Sequence, residues 1–422
     1  MNNVKIIINE LGPVKAQTIE LRPVMLFTGE SSLGKSYVNF LTYYLFHVFL
    51  SERMYDFLMK KMDTNVYENK DFSFDLNSSE LINWMQYDVK KFFVYLYNYD
   101  DFKCDVMFSF NGIEDNYNIR ITQGTKRNDR ESIYGHIYIN GEESSFYAFT
   151  QQLERNICRS ICHQLCSKFM GQYMNSSYLL PPGRASLLTG DFTAQRGSSK
   201  LGLYDMFLSD NDRINSKVLI NILLDKENDF FASQVHNLIK GDLISEKDNM
   251  YLVTEDKQRI PLSAAASSIK ELTPLLQLIL SGNISYSDIC IEEPEAHLHP
   301  EMQIAIADLL AACINEKVSM QITTHSDYFL QRINQLLKYG YIKGQNPTRY
   351  QDICEKNGHL EEHYLDKNDV NAYYFISEDG MTKIKSLPIG NNGIPMSTFF
   401  NTVRILTSED EFLDEELEKL SI

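Results

Sequence analysis

The chain has 422 residues, of which 43% are hydrophobic and 12% aromatic, so it can bury a substantial core in roughly two or three domains. Its formal net charge of −17 argues against a broad, non-specific grip on nucleic acid, which needs many Lys and Arg side chains. A local basic face at Lys126, Arg127 and Arg130 stays open, although so short a run is more often a solvated loop.

The chain shows no sign of secretion or membrane insertion. No cationic start is followed by an apolar stretch, as a secretory signal would require. The longest apolar run, residues 40–50, is far shorter than the roughly 20 residues of a membrane span. Seven cysteines, an odd number without small-domain spacing, do not make a disulfide framework. We therefore expect a cytoplasmic protein without a membrane partner.

A glycine-rich motif stands between a predicted strand, residues 24–28, and a predicted helix, residues 37–50. It fits G-x-x-x-x-G-K-S/T at every fixed position and reads Gly29, Glu30, Ser31, Ser32, Leu33, Gly34, Lys35 and Ser36. Such a turn aims backbone N–H groups and the positive end of a helix dipole at one point, which favours a polyphosphate. Lys35 would reach the β- and γ-phosphates of ATP, and Ser36 would ligate Mg²⁺.

The middle of the chain shows strand-like alternation followed by helical periodicity. Residues 102–123 and 133–139 predict strands, with Asn111-Gly112 and Asn140-Gly141 as hairpin signals. Residues 146–170 and most of residues 216–244 predict helices.

Three cysteines at four-residue steps, Cys158, Cys162 and Cys166, share one stripe of the predicted helix 146–170. A metal site would need His163, but that residue points elsewhere on the helix. We interpret the three cysteines as buried core side chains.

Two adjacent carboxylates follow a predicted strand at residues 286–291. A carboxylate at a strand tip beside the phosphate loop can hold Mg²⁺ through water, and a second can polarise the attacking water. We assign Glu292 to the metal and Glu293 to the water. A further predicted strand, residues 318–324, delivers His325 and Ser326 to the position where a side chain would sense the γ-phosphate. The alternatives are a solvated turn for the carboxylates and a local capping or core role for His325.

The C-terminal part contains one motif of another class. His359, Glu362 and His363 fit the H-x-x-E-H pattern of inverted zinc peptidases. The flanking residues favour a loop that runs into a strand, and no third ligand is evident, so this reading is a minor alternative. Beyond it we expect a strand at 369–375, a turn at Asp379-Gly380 and an acidic amphipathic helix at 408–420.

These motifs resemble the ABC-type ATPases of the RecF, SMC and OLD group, which in bacterial genomes are often simply called AAA-family ATPases. Residues 4–15 look like the first strands of that family. Residues 291–300 are similar to its I-E-E-P-E-A-H-L-H-P, and residues 323–326 match its switch-histidine segment. The resemblance implies that Glu293 is the catalytic carboxylate. It also implies that His325 is the switch histidine and that Glu295 and His297 lie near a partner subunit.

Residues 263–272 stand where this group carries its signature motif, usually a serine and glycine pair that begins a helix. Ser267 and Ser268 would meet the γ-phosphate bound by the opposite subunit, although Ser268 aligns with the glycine and Ser31 with a frequent asparagine. The alternative is an ordinary helix N-cap.

Two further features leave alternatives open. Residues 178–184 are like the Y-[I/L]-P-x-x-R element of many such ATPases, in which Arg184 could meet a phosphate or hold an interface carboxylate. Pro-Pro-Gly is equally a plain turn signal. The Q-loop glutamine is not assigned among Gln123, Gln151 and Gln152.

The expected fold is an α/β ATPase head with a mixed sheet flanked by helices. Residues 1–50 and 246–422 would form the head. Residues 51–245 would supply first-lobe β-hairpins and a compact, largely helical insertion. An OLD-type nuclease would carry a Toprim domain after His325, with a glutamate and a D-x-D pair on separate strands. We find no such set there, so any nuclease chemistry would belong to a separate protein.

The resemblance implies a Mg²⁺-dependent ATPase that uses ATP to drive subunit association into a homo-oligomer of even number. It suggests the ATPase component of a bacterial anti-phage system such as PARIS or Septu, which controls a separate nuclease or toxin effector. The alternatives are a DNA-repair ATPase of the RecF/SMC type and a nucleotide-gated scaffold with little hydrolysis.

Overall fold

The computed structural model of the protein describes residues 4–62, 66–124, 132–189, 201–223, 229–246, 249–282, 284–395 and 400–420. The basic face considered at Lys126, Arg127 and Arg130 lies outside these residues. The strands are β1 (Val4–Leu11), β2 (Val14–Glu20), β3 (Val24–Gly29), β4 (Asp71–Asn77), β5 (Cys104–Phe110), β6 (Asn116–Gln123), β7 (Ser132–Ile139), β8 (Glu142–Phe149), β9 (Ser176–Leu180), β10 (Gly241–Glu246), β11 (Asn249–Thr254), β12 (Arg259–Pro261), β13 (Ser287–Glu292), β14 (Ser319–Thr323), β15 (Val370–Glu378) and β16 (Met381–Leu387). The helices are α1 (Lys35–Leu50), α2 (Tyr55–Met62), α3 (Ser78–Tyr97), α4 (Leu153–Met170), α5 (Arg184–Thr189), α6 (Gly202–Leu223), α7 (Asp229–Ile239), α8 (Ser267–Leu280), α9 (Pro300–Asn315), α10 (Asp327–Gln345), α11 (Pro347–Asn357) and α12 (Phe400–Leu420).

A mixed sheet of nine strands organises the fold, in the order β5-β1-β2-β16-β15-β3-β14-β13-β9. The five strands from β9 to β15 in this order pair with one another in parallel. Antiparallel pairs join β1 to β2 and β5, and β15 to β16. Helices cover both faces of the sheet, so the predicted α/β class with a mixed sheet between helices is confirmed.

The central strand β3 shows how the sequence places this sheet. Its first five residues are buried, as expected for a continuous apolar strand that is covered on both faces. Met25 and Phe27 pack into one hydrophobic cluster with α1, α3 and α4. Val24 and Leu26 pack into a second cluster with α8, α9 and α10. Successive side chains of β3 therefore pack alternately into the two hydrophobic clusters, one on each face of the sheet.

The parallel strands bring their carboxyl ends to one edge of the sheet. Gly29 ends β3, Glu292 ends β13 and Thr323 ends β14, and Glu292 lies opposite Thr323 in the register of the two strands. In open α/β sheets, ligands bind outside these ends. This edge is therefore where the predicted motifs can meet.

Residues 51–245, where we expected first-lobe hairpins and a helical insertion, also contribute to the central sheet. Strand β5 forms one edge of that sheet and β9 forms the other. A second sheet, in the order β4-β6-β7-β8, lies wholly within this segment, together with helices α2 to α7. Cys158, Cys162 and Cys166 are buried on α4, which confirms their interpretation as core residues.

One of the two predicted hairpins is confirmed and the other is wrong. Asn140 and Gly141 have φ values of 51° and 85° and link β7 to β8 as a two-residue turn. The signal at Asn111 and Gly112 does not close a hairpin, because β5 pairs with β1 and β6 pairs with β4 and β7. Alternation along β5 specifies a half-buried strand but not its partner, and β1 offers a backbone edge that local sequence does not reveal.

The boundaries of two predicted helices also change. Residues 146–149 belong to β8, and α4 begins only at Leu153. Residues 241–244 belong to β10. In both places the apolar spacing is compatible with a helix and with a strand over a few residues. Among the described residues, no helix is both long enough and apolar enough to cross a membrane.

Candidate nucleotide-binding site

The phosphate-loop motif forms a tight turn between β3 and α1. Gly29 has a φ of 118°, and a Cβ atom there would lie 2.2 Å from the backbone oxygen of Phe375 in β15. Glu30 N–H donates to that same oxygen at 3.0 Å. Gly34, with a φ of 87°, is the N-cap of α1. The turn therefore requires glycine at both fixed positions and leaves the first N–H groups of α1 open to an anion.

Lys35 lies folded over this turn. Only 6% of its surface is exposed, and its Nζ donates to the backbone oxygen of Gly29 at 3.2 Å and to that of Glu30. Burial lowers the pKa of Lys35, while the charges of Glu293, Glu292 and Glu30 oppose that shift. An ammonium group in this place, between the loop and the paired carboxylates, is suited to bind phosphate oxygens.

Glu292 is a buried carboxylate whose charge the nearby cations only partly offset. It is 4% exposed, and burial, reinforced by the charge of Glu293, raises its pKa to about 7, against the effect of Ser36, Asn39 and Arg184. Within the described part of the chain, its Oε1 has no hydrogen-bond partner, nor has Thr28 Oγ1. Buried polar atoms are normally satisfied, so this cluster indicates a missing ligand.

Glu293 follows in a left-handed backbone conformation with a φ of 46°. Its N–H donates to the backbone oxygen of Thr323 at 3.0 Å. Non-glycine residues in this region carry strain, and such strain concentrates at functional sites. Here the turn directs the half-buried Glu293 into the same cavity as Lys35.

His325 is exposed just after the end of β14, and its main chain is hydrogen-bonded to the buried carboxylate of Glu295. The Oε1 of Glu295 accepts from Thr324 Oγ1 at 2.7 Å and from His325 N–H at 2.9 Å. Partial burial, with a contribution from Lys35, lowers the pKa of His325. Ser326 caps α10 through a bond from Phe329 N–H at 3.1 Å.

The expectation that Glu295 lies near a partner subunit stays a prediction; within its own chain the side chain is 6% exposed and points inward. Its sequence neighbour His297 is exposed. The inward position of Glu295 follows from its bonds to the switch segment, which a linear motif does not show.

A cavity of about 560 Å³ joins these elements. Eight predicted site residues line it, namely Ser31, Ser32, Gly34, Lys35, Ser36, Glu292, Glu293 and His325. Gly29 and Glu30 shape the start of the same turn, and Leu33 packs against the core. The structure therefore brings together in one cavity the phosphate loop at residues 29–36 and the carboxylate pair and histidine at residues 292–325.

The cavity also has an aromatic wall that sequence reasoning missed. Tyr37, Phe40 and Tyr97 line it, together with Pro182 and Leu203. The Tyr37 ring meets the Tyr97 ring edge-on, with centroids 5.2 Å apart. Tyr37 directly follows the motif and could have been noticed, but Tyr97 comes from α3, for which the sequence carries no signal.

Ser267 and Ser268 lie outside this cavity, at the start of α8. Ser267 is exposed and Ser268 is partly exposed. The N-cap of α8 is Ala266, which makes no side-chain capping bond. The reading of these serines as ordinary N-caps is therefore wrong, and Ser267 faces outward from its own chain.

Of the readings left open for residues 178–184, the turn is present, since Pro182 and Gly183 form a turn directly before α5. The Q-loop glutamine stays unassigned. Arg184 is fully buried and donates to three backbone oxygens, so it is not a phosphate ligand at the surface. Gln123 donates to Val66 in the smaller sheet region, and Gln151 and Gln152 are exposed in a short 3₁₀ turn.

The zinc-peptidase reading is wrong because His359 and His363 do not share a helix. Both follow the end of α11. His359 Nε2 approaches the backbone oxygen of His363 at 2.7 Å, and its Nδ1 lies 3.2 Å from the Arg332 guanidinium. Over the described residues, no group of three or more His, Cys, Asp or Glu side chains could hold a metal ion.

One part of the chain matches a known domain family. Residues 209–330 match the AAA ATPase domain, a range that includes Glu292, Glu293 and His325 and omits the phosphate loop. The chain is similar in structure to a SmcHead bound to the C-winged helix domain of ScpA, with 12% identity, a TM-score of 0.38 and coverage of 92% of this chain and 97% of the other.

Two further SMC structures are also similar. The SMC head domain from Thermotoga maritima shows 11% identity, a TM-score of 0.33 and coverage of 92% and 100%. The third structure is the Smc head domain with an extended coiled coil bound to the C-terminal domain of ScpA, derived from Pyrococcus furiosus. It shows 11% identity, a TM-score of 0.37 and coverage of 97% of this chain and 99% of the other. A search of curated proteins gave no match.

Proposed function

We propose that the chain is a Mg²⁺-dependent ATPase that uses ATP binding and hydrolysis to drive subunit association. The observation that carries this proposal is the single cavity lined by the phosphate loop, the Glu292–Glu293 pair and His325. Each of the three elements supplies a different part of phosphoryl-transfer chemistry. The stability of the fold alone does not require them to share one cavity.

ATP would bind with its phosphates at the start of α1. The N–H groups of the loop and the Lys35 ammonium would meet the β- and γ-phosphates, where positive charge is fixed before the ligand arrives. The aromatic wall with Tyr37 and Tyr97 gives the cavity an apolar side opposite these charges.

The residues present fit a bound Mg²⁺. Ser36 and Glu292 would hold the ion, and the unpartnered Oε1 of Glu292 and Oγ1 of Thr28 are oxygen atoms of the kind that it prefers. Bound Mg²⁺ would neutralise charge on the bridging and terminal phosphate oxygens. It would also favour the ionised form of Glu292, which burial alone disfavours.

Glu293 would act on the attacking water and His325 would contact the γ-phosphate. The left-handed turn at Glu293 and the Glu295 carboxylate behind His325 hold both groups at the cavity before any ligand binds. Positioning of this kind is the main source of catalysis in phosphoryl transfer.

A second copy of the chain would complete the site. Ser267 and Ser268 at the start of α8, together with the exposed His297, would contact the nucleotide bound by the neighbouring copy. A homo-oligomer of even number follows from such reciprocal contacts.

The biological role that we propose is the ATPase component of a bacterial anti-phage system in the cytoplasm, acting with a separate nuclease or toxin effector. The sequence resemblance and the net charge of −17 support this role, since an acidic surface could hold a basic effector by charge complementarity. Cells that carry the chain with and without its genomic neighbours should be challenged with phage. Full protection by this chain alone would refute the need for an effector.

The biochemical core of the proposal is tested with Lys35→Ala. Loss of the ammonium should abolish ATP binding in calorimetry. The exposed Lys60→Ala serves as control and should bind ATP like the wild type. Equal ATP affinity in Lys35→Ala and in the wild type would contradict the proposed site.

A further inference from the structure

Arg184 joins three elements that meet behind the candidate site. It begins α5, directly after the Pro-Pro-Gly turn that leaves β9, and none of its side chain is exposed. Its Nε donates to the backbone oxygen of Glu271 in α8 at 2.7 Å. Its Nη1 donates to the backbone oxygens of Pro181 at 3.0 Å and of Glu292 at 2.9 Å. One guanidinium group therefore holds the last residue of β13 to α8.

Glu271 makes the connection reciprocal. Its Oε2 accepts from the N–H of Ala185 at 2.7 Å, and its Oε1 lies 3.7 Å from Nη1 of Arg184. Glu271 is 2% exposed and lies one helical turn after Ser267 and Ser268. A displacement of the exposed start of α8 would therefore reach the main chain of Glu292 through a single buried ion pair.

Stability alone gives a poor account of this arrangement. Burial of an ion pair is costly, and well-packed hydrophobic residues of similar volume are often at least as stabilising. Burial lowers the pKa of Arg184, and the charges of Glu271, Glu295, Glu292 and Glu293, in that order, oppose the shift. Yet Nη2 of Arg184 has no hydrogen-bond partner among the described residues, and neither has Oε2 of Glu295. The guanidinium group of Arg184 is therefore held in one orientation by its Nε and Nη1, while its Nη2 donates no hydrogen bond within the described residues.

We propose that Arg184 is a positioning residue that couples the exposed start of α8 to the carboxylate pair, so that contact with a second copy sets the geometry of Glu292 and Glu293. This inference rests on the proposed ATPase function and deepens it. The planar fork of arginine is essential to the role, because three backbone oxygens in different directions must be held by two nitrogen atoms of one rigid group.

The test compares Arg184→Lys and Arg184→Met with the wild type. ATP affinity, steady-state turnover, melting temperature and ATP-dependent self-association are measured for each, the last in the Glu293→Gln background. The control is Arg332→Met, which removes a part-buried arginine paired with Asp308 at 2.6 and 2.9 Å and remote from the cavity.

We expect both Arg184 variants to bind ATP with wild-type affinity, which also shows that they are folded. Turnover should fall roughly 10- to 100-fold in Arg184→Met, as is typical when the support of a metal-binding residue is removed. Arg184→Lys keeps the charge but not the fork, and it should recover only part of that loss. Arg332→Met should keep wild-type turnover whatever its effect on melting temperature.

Two outcomes would overturn the role of Arg184. The first is wild-type turnover in Arg184→Met. The second is a parallel loss of ATP affinity, turnover and melting temperature in both variants, which is the signature of a purely structural residue. A wild-type chain that binds ATP without turning it over would instead refute the proposed hydrolysis. The role of Arg184 would then be decided by self-association, and equal ATP-dependent association in the wild type and both variants would overturn it.

Discussion

Removal of the Glu292 charge should stabilise the nucleotide-free protein, and it should do so only above acidic pH. Burial raises the pKa of Glu292 from 4.5 to about 7. Since one pKa unit corresponds to about 1.4 kcal/mol, the ionised carboxylate destabilises the folded state by about 3 kcal/mol. The folded state binds the proton more tightly than the unfolded state. The penalty is therefore absent below the unfolded pKa, grows between the two values and is complete above about pH 7.

The assay is denaturant unfolding of the wild type and Glu292→Gln without Mg²⁺ and nucleotide. Glutamine keeps the shape of the side chain and removes the charge. Between about pH 5 and about pH 8, the stability advantage of the variant should grow by about 2 to 3 kcal/mol. The exposed Glu255→Gln is the control and should show no such growth.

At the higher pH, Mg²⁺ with ATP should stabilise the wild type by more than it stabilises the variant, because the variant keeps the phosphate loop and lacks only the carboxylate for the metal. The difference between the two proteins would confirm that the buried Glu292 carboxylate binds a cation. An advantage of the same size at both pH values would refute the reasoning, because it would show that burial does not raise the pKa of Glu292.

Three further substitutions test separate parts of the site. Gly29→Ala should abolish ATP binding and lower the melting temperature, because the new Cβ would lie 2.2 Å from a backbone oxygen of β15; Gly344→Ala, with open space around its Cβ, should do neither. Glu295→Gln should keep ATP affinity in calorimetry and lower turnover, since the bond that holds the His325 main chain is weakened; wild-type turnover would show that this bond is dispensable. Ser267→Arg should leave ATP binding intact and abolish ATP-dependent association in light scattering, as the side chain is exposed at the start of α8; undiminished association would place the interface elsewhere.

The parts of the site that the sequence predicts are those in which chemistry and geometry lie within one short segment. The phosphate loop is one turn between a strand and a helix, and the carboxylate pair is the tip of one strand. Each needs only its own neighbours to take shape. Their meeting at one edge follows from the parallel arrangement of β3, β13 and β14.

The parts that sequence reasoning missed depend on distant contacts. Tyr97 reaches the cavity from α3, in a segment that we expected to supply first-lobe β-hairpins and a helical insertion. The alternation of β5 predicts a strand but does not show that it pairs with β1 rather than β6. Burial of Glu295 and Arg184 depends on the elements that surround them, whereas their local sequence, rich in charge and proline, reads as surface turn.

The central claim is hydrolysis of ATP by the carboxylate that follows β13, and Glu293→Gln tests it most directly. Steady-state turnover with Mg²⁺ and ATP binding by calorimetry are measured together, with the nearby exposed Glu301→Gln as control. We predict that Glu293→Gln binds ATP like the wild type and loses turnover by roughly 100-fold or more, as expected when a group that positions or deprotonates the attacking water is removed. Glu301→Gln should retain full turnover. Unchanged turnover in Glu293→Gln would contradict the account.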